Sequence, residues 1–355
     1  YWQTEEKPQR AEEWFLKAYE FYSPADSSES GQELYASEGL FQAAEIARER
    51  FNEIELTLPA SRLQQQLEEK TTLLRTLRER YSQTAAFTTD RLPQALYRLG
   101  EIYELYGKSW QQQEIPDVDA TNRAVKMHDI NERAAQIYEN SLSRYEKAVD
   151  VLRTIGRRER ESGSSATDTV VTKWLQEAEL KMPEIGYILA ESTTGSIQHF
   201  LSAPVPEDND EVARLEYRNQ VLFKAVNPLI PKTVTAHQKN LQRCDSLNIE
   251  NRWTAKSKVR IVENNTILAR EYRKLALDAL DVLEKLSNEY HETVMVKEKK
   301  PAGDIVPSMI NSTDLYKTYS KAGIMFYKEG IEKILEAGIA PDSTEHLHAA
   351  LIDYS

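Results

Sequence analysis

The residues able to do chemistry are few, and their spacing works against them. Glu345-His-Leu-His348 holds a His-x-His pair, but on a helix two residues apart project about 200° from each other, so they share no metal there. His291-Glu292 opens like a zincin, yet Met295 stands where the second histidine belongs. Asp117-Val-Asp119 begins like a calcium loop, with Asn122 in place of the turn glycine and His128 at the final ligand position. The sequence contains no Gly-x-Ser-x-Gly elbow, Cys-His signature, glycine-rich phosphate loop or dinucleotide fingerprint. The single cysteine, Cys244, excludes an internal disulfide framework and reads as a buried small apolar residue. The expectation is a protein that is not an enzyme, with no catalytic residue, no metal ligand and no cofactor.

The elements that carry these residues are helices. Only 12 Gly and 13 Pro punctuate 355 residues, too few for the turns of a many-stranded protein. No stretch alternates at period two, so the fold class is all-α. Helical spacing begins with Trp14, Ala18 and Phe21, then a Ser-, Asp- and Gly-rich break spans 23–32. Residues 34–56 follow as a helix with Leu40, Ala44, Ala47 and Phe51 on one face and Pro59 beyond its end. Ser61 is read as the cap of the next helix. Residues 91–110 form another, with Pro93 in the first turn. Beyond a polar insertion at 111–119, a stripe through Ala134, Tyr138, Leu142, Tyr145 and Leu152 marks a helix over 120–157.

The small, polar segment 161–167 is the expected domain boundary, separating helical hairpins in 1–160 from a bundle of longer helices in 161–355. There the spacing predicts helices over 168–191, with Pro183 and Gly186 inside, and over 208–247, interrupted at 227–231. A clean helix spans 253–296, a linker 297–310, and a last helix pair 313–336 and 343–353. Tyr316, Tyr319, Phe326 and Tyr327 are expected to dock that pair.

Part of the first half resembles a known family. Leu96, Leu99, Gly100 and Tyr103 in ALYRLGEIY fit the first helix of a tetratricopeptide repeat, and Ala47, Phe51, Ile54 and Pro59 fit the second. Ala135, Tyr138, Tyr145, Ala148 and Leu152 leave a third trace with one residue of slack. Residues 30–155 therefore resemble tetratricopeptide-type helical hairpins, which implies an antiparallel right-handed array. The insertion behind Trp110 displaces the expected partner helix, and no 34-residue period runs through the chain. An irregular helical bundle is the alternative. The matched positions are the family's packing residues, so no ligand-binding residue is carried over. Gly100 has its own physical reason: lacking Cβ, it lets a second helix approach closely.

Charge and aromatics bear on partners. With 45 Lys and Arg against 57 Asp and Glu, the net charge of -12 disfavours nucleic acid and anionic lipid. No run reaches the roughly 18 apolar residues of a membrane span. Tyrosines number 18 against 8 phenylalanines, which suits the edges of cores, where the ring is buried and the hydroxyl stays wet. Tyr97 points away from the Leu99 face and is, with Trp110, the candidate for partner binding. Tyr1 is read as a processed or a trimmed terminus. Together with the single Cys and the many Gln, Thr and Tyr, it points to the periplasm or cell envelope, with the cytoplasm as the alternative. The expected function is a scaffold that binds other proteins. A self-associating spacer, and after it an all-α small-ligand binder or enzyme, are the alternatives.

Overall fold

A computed structural model of the chain describes residues 8–22, 30–118, 120–162, 168–205, 210–293 and 305–336. Every regular element among them is helical. In chain order they are α1 (Pro8–Glu20), α2 (Ser30–Glu53), α3 (Ala60–Thr84), α4 (Leu92–Gln112), α5 (Ala120–Ser162), α6 (Asp168–Ser202), α7 (Glu211–Val221), a π-helical turn (Leu222–Val226), α8 (Leu229–Ser246), α9 (Arg252–His291) and α10 (Ile305–Glu336). The expected helix over 343–353 and His346 and His348 lie outside the described residues.

Several boundaries differ from the sequence reading, each for a local reason. Ser61 is not a cap: α3 begins at Ala60 behind Pro59, which makes no side-chain cap bond. α6 holds Pro183 inside it, as the sequence reading had it, but runs past 191 to Ser202. Pro307 falls in the first turn of α10, where a missing N–H costs nothing, so the helix starts inside the expected linker. The break near 227–231 opens earlier, as the π-helical turn, with Asn227 N donating to Leu222 O at 2.9 Å. Pro231 then sits in the first turn of α8.

The chain divides into two compact units, but not at 161–167. The first comprises Tyr1–Val118, Asp129–Ser192 and Gln242–Trp253; the second comprises Asp119–His128, Thr193–Leu241 and Thr254–Ser355. The physical reason is that α5 and α6 share a core. Tyr138, Leu142, Tyr145 and Val149 pack with Ala178, Met182 and Ile185, and Arg153 binds Glu179 at 2.7 Å. The small polar segment therefore connects two helices of one unit.

In the first unit consecutive helices pack on one another. Phe41, Ala44, Ala47 and Phe51 of α2 meet Leu74, Leu77 and Tyr81 of α3 and Ala95, Leu99, Ile102 and Tyr106 of α4. On α1, Glu12 reaches Arg80 at 2.6 Å, and the α1 backbone closes on Gly39, whose added Cβ would stand 2.5 Å from Phe15 O. That rotation leaves Trp14 and Phe21, expected on a packed face, exposed. At 43 residues, α5 alone exceeds a 34-residue repeat, so this array is not a regular one. The core of the second unit joins Leu215 of α7, Leu222 and Val226 of the π-helical turn, Leu229 and Val234 of α8, Ile261, Leu268, Tyr272 and Leu275 of α9, and Tyr319 of α10. Tyr316 and Phe326 pack against it, as the sequence reading expected of them.

Candidate functional site

The candidate partner residues both lie on α4, and that helix has an unusual environment. From Leu92 to Gln111 no residue is exposed. Ala95, Leu99, Ile102 and Tyr106, spaced four-three-four, face the α2–α3 core. Tyr97, Gly100, Glu104 and Gly107, spaced three-four-three, make a second seam, buried like the first. Its partner is α5. A Cβ on Gly100 would stand 2.7 Å from two ring atoms of Tyr145, and one on Gly107 would stand 2.8 Å from Tyr138. The Ser141 hydroxyl donates to Gly100 O at 2.8 Å and fixes this approach. Two glycines seven apart thus receive two tyrosine rings seven apart.

Tyr97 consequently does not line a groove. It is 6% exposed, with its ring 5.4 Å from Tyr145 and 5.1 Å from Trp174 between centroids. The sequence reading placed it on an outer side of α4, but α5 and α6 cover that side. Trp110 is half-buried, edge-on to Tyr106 at 6.5 Å, with the Arg133 guanidinium 5.4 Å from its ring. Its indole N–H is buried and meets no acceptor among the described residues. The structure thus brings the two candidates onto one helix as seam residues.

The chemistry that the sequence reading missed sits in the same seam. Glu104 is 2% exposed and accepts from Lys108 Nζ at 2.6 Å, Lys181 Nζ at 3.1 Å and Tyr145 Oη at 3.2 Å. Burial pushes its carboxyl upward, but Lys108 and Lys181 more than reverse this and hold it below the usual carboxylate range. Burial, reinforced by the Glu104 charge, lifts the Tyr145 phenol well above its ordinary value. The carboxylate thus stays ionised and the phenol stays protonated. Neither is poised to exchange a proton near neutrality, so the cluster reads as an electrostatic pin joining α4, α5 and α6. Close by, Tyr138 Oη donates to Gln111 Oε1 at 2.9 Å, and Gln111 Nε2 to Ser192 Oγ at 2.9 Å.

Two further charged groups of this unit, the half-buried Glu45 and the buried Lys70, are also held across helices. Glu45 accepts from Tyr81 Oη at 2.5 Å and Arg48 at 2.8 Å, and lies 3.2 Å from Arg98. Lys70 donates to Phe51 O at 2.8 Å and Ile54 O at 2.7 Å, closing carbonyls at the end of α2. Burial pushes its ammonium down to about 8, against the opposing pull of Glu55. A neutral amine still has two N–H donors, so both carbonyls remain served.

The second unit offers different ground. A cleft of about 450 Å³ lies where Phe200–Val205, Tyr217–Leu222 and Glu271–Asp278 converge. Leu222 and Leu275 form its buried floor, and its rim holds the pairs Arg218–Asp278 at 2.5 Å and Lys274–Glu271 at 2.8 Å. Those ion pairs are partly exposed and satisfy one another. Elsewhere in this unit His237 Nδ1 and Asn240 Nδ2 converge on Ser257 Oγ at 3.3 and 3.2 Å, in a fully buried polar contact. Burial pushes the Tyr319 phenol up to about 12, and its hydroxyl finds no partner among the described residues. Cys244, in the first unit, is buried, and burial pushes its thiol up to about 11. No group of three His, Cys, Asp or Glu among the described residues is arranged to hold a metal ion. His291 is exposed at the end of α9.

No family model matches the chain, and no curated protein matches it. Among solved structures the chain is similar to a circular tandem repeat protein with novel repeat topology and enhanced subunit contact surfaces. The identity is 12% over 98% of this chain and 81% of that one, with a TM-score of 0.20. At that TM-score the likeness bears neither on fold nor on function.

Among the described residues, exposed apolar side chains occur on several helices, the outer face of α10 being one such surface. Ile310, Ile324, Met325 and Leu335 lie on it, between 38% and 59% accessible, interleaved with the exposed Lys317, Lys321 and Lys328. The opposite face carries Ser312, Tyr319, Gly323, Tyr327 and Gly330 into the protein. No helix among the described residues is long and apolar enough to cross a membrane.

Proposed function

We propose that the chain is a non-enzymatic helical scaffold that binds other proteins through exposed helix faces. The observation that carries this reading is the disposition of its reactive-looking groups. Glu45, Glu104 and Lys70 are each bound across helices, while large apolar side chains stand out on the surfaces of α1 and α10. A chain that spends its buried charges on holding helices together keeps its outer faces for recognition. In this reading the first unit is a divergent tetratricopeptide-like array. Trp110, half-buried, is the candidate residue that keeps some accessible surface, and a cell-envelope setting belongs to this reading. The 450 Å³ cleft favours a second reading, a binder of small amphipathic molecules, because its volume falls in the range of ligand sites.

Chemical crosslinking of the full chain in extract of its native host, with mass spectrometry of the adducts, tests the first reading. Titration of each purified candidate partner completes the test. Saturable binding of a protein to an outer helix face supports it. Saturable binding of a small molecule in the cleft, with no protein retained, overturns it in favour of the second.

A further inference from the structure

We propose that the cleft of the second unit binds an uncharged amphiphile, an apolar tail ending in a hydroxyl or similar neutral head. This rests on the second reading above and names its ligand class. The cleft, of about 450 Å³, is lined by residues of that unit alone. Leu222 and Leu275 are its buried floor, and the half-buried Phe200, Val205 and Val221 line it above. The Phe200 ring also packs on His128, at 5.6 Å between centroids, so this part of the lining is set before any ligand arrives. Leu222 is at the same time the first residue of the π-helical turn, an element that recurs at functional sites. At about 30 Å³ per non-hydrogen atom, the share of a water molecule in the liquid, the cleft takes about 15 such atoms.

The floor asks for an apolar tail, because neither leucine side chain has a polar atom to offer. The rim sets the head. Each charged side chain of the lining stands against its opposite, Arg218 with Asp278 at 2.5 Å and Lys274 with Glu271 at 2.8 Å. Outside the lining, Arg270 also reaches Glu271, at 3.3 Å. A charged head therefore meets both signs together: attraction to one member of a pair is offset by repulsion from the other, and the head still loses hydration. A neutral hydroxyl pays less. The Ser202 hydroxyl, in the lining, donates to His199 O at 3.3 Å and keeps its lone pairs for such a head.

The test uses the full chain and N-phenyl-1-naphthylamine, an uncharged dye that fluoresces in apolar sites. Decanol, decanoate and decyltrimethylammonium compete with it, each below its micelle concentration. Decanol should displace the dye saturably and most tightly of the three. From hexanol to decanol the affinity should rise by up to about fourfold per methylene, the value for full burial. Asp278→Asn leaves Arg218 without its partner, so it should tighten decanoate by roughly two- to fivefold, the worth of an exposed ion pair, and leave decanol unchanged. Ala203→Trp with Val205→Trp, in the non-helical stretch after α6, narrows the cleft and should weaken decanol by roughly tenfold or more, as if two methylenes were kept out. Lys232→Trp, exposed on α8 and outside the lining, should not. Circular dichroism checks that each variant is folded, and if the double variant is not, the alkanol series and Asp278→Asn decide.

Tighter binding of decanoate or decyltrimethylammonium than of decanol overturns the proposal while the cleft remains a ligand site. So does decanoate that ignores Asp278→Asn. Displacement by no alkyl compound, no gain with alkanol length, or displacement untouched by the folded double tryptophan variant overturns the second reading as well. The scaffold reading is decided separately, by crosslinking.

Discussion

Replacing Gly100 by alanine probes the seam on which the first unit depends. The added Cβ would lie 2.7 Å from Cδ1 and Cε1 of Tyr145 and 2.8 Å from Cγ, so it meets the body of the ring and not a flexible tip. The ring has little freedom to retreat. Its hydroxyl donates to Glu104 at 3.2 Å, and Ser141, one turn away, anchors α5 to Gly100 O at 2.8 Å. Relief requires a displacement of about 1 Å, and such overpacking costs about 1–3 kcal/mol. Alanine also gains about 1 kcal/mol of helix propensity over glycine, leaving a net loss of about 0–2 kcal/mol. Gly156 supplies the control. It lies inside α5, and its Cβ would meet only Val171 Cγ1, at 3.8 Å, which is ordinary contact. Gly156→Ala should therefore stabilise by about 0.5–1 kcal/mol. Urea denaturation followed by circular dichroism at constant m reads both values. If Gly100→Ala matches or exceeds the stability gained by Gly156→Ala, the close-approach argument is wrong.

Other outcomes follow from the same seams. Glu104→Gln should cost about 2 kcal/mol at pH 7, less than a sealed ion pair would, because Lys108 and Lys181 can rehydrate. Since the folded carboxyl sits below its unfolded value near 4.3, its contribution is full above that pH and lost as pH falls through the folded value. The acid side of the stability curve should be flatter in the variant, as read by urea titration at pH 3 to 7. Lys70 works in the opposite sense: its ammonium is pushed down from 10.5 to about 8, so between those values the unfolded chain holds the proton more tightly. Wild-type stability should gain on Lys70→Met as pH climbs from about 8 to about 10, and a constant difference between them refutes the shift. Cys244, with its thiol near 11 and buried, should react with a disulfide reagent at pH 8 only at the rate of unfolding, so denaturant and not pH should accelerate labelling.

Much of this architecture was legible because apolar residues at three-four spacing declare a buried helix face. The α2 stripe Leu40, Ala44, Ala47 and Phe51 and the α5 stripe Tyr138, Leu142, Tyr145 and Leu152 are buried as the spacing requires. Gly100 had a readable role, and the structure gives it one, with a tyrosine ring where a Cβ would be. The second seam of α4 was illegible for a related reason. Tyr97, Gly100, Glu104 and Gly107 contain no aliphatic residue, so periodicity alone sees polar surface where two tyrosines and a paired carboxylate fill the space. Tyr97 was misplaced on that account. Lys70, Glu104 and Lys181 look like solvated charges in the sequence: Lys108 is an ordinary i,i+4 partner of Glu104, and only the fold brings Lys181 to 3.1 Å from Glu104 and the carbonyls at the end of α2 within 2.8 Å of Lys70. Pro307 was read as linker because proline interrupts helices. In the first turn it does not.

Burial of α4 on two sides also has a consequence for synthesis. When ribosomal elongation has delivered α1 through α4, the side holding Tyr97, Gly100 and Glu104 is still bare, and its covers arrive only with α5 and α6. The nascent first unit must therefore wait, with an uncovered aromatic and ionic surface, for about 80 further residues, or several seconds at about 5–20 residues per second. That interval is when chaperones have most to hold.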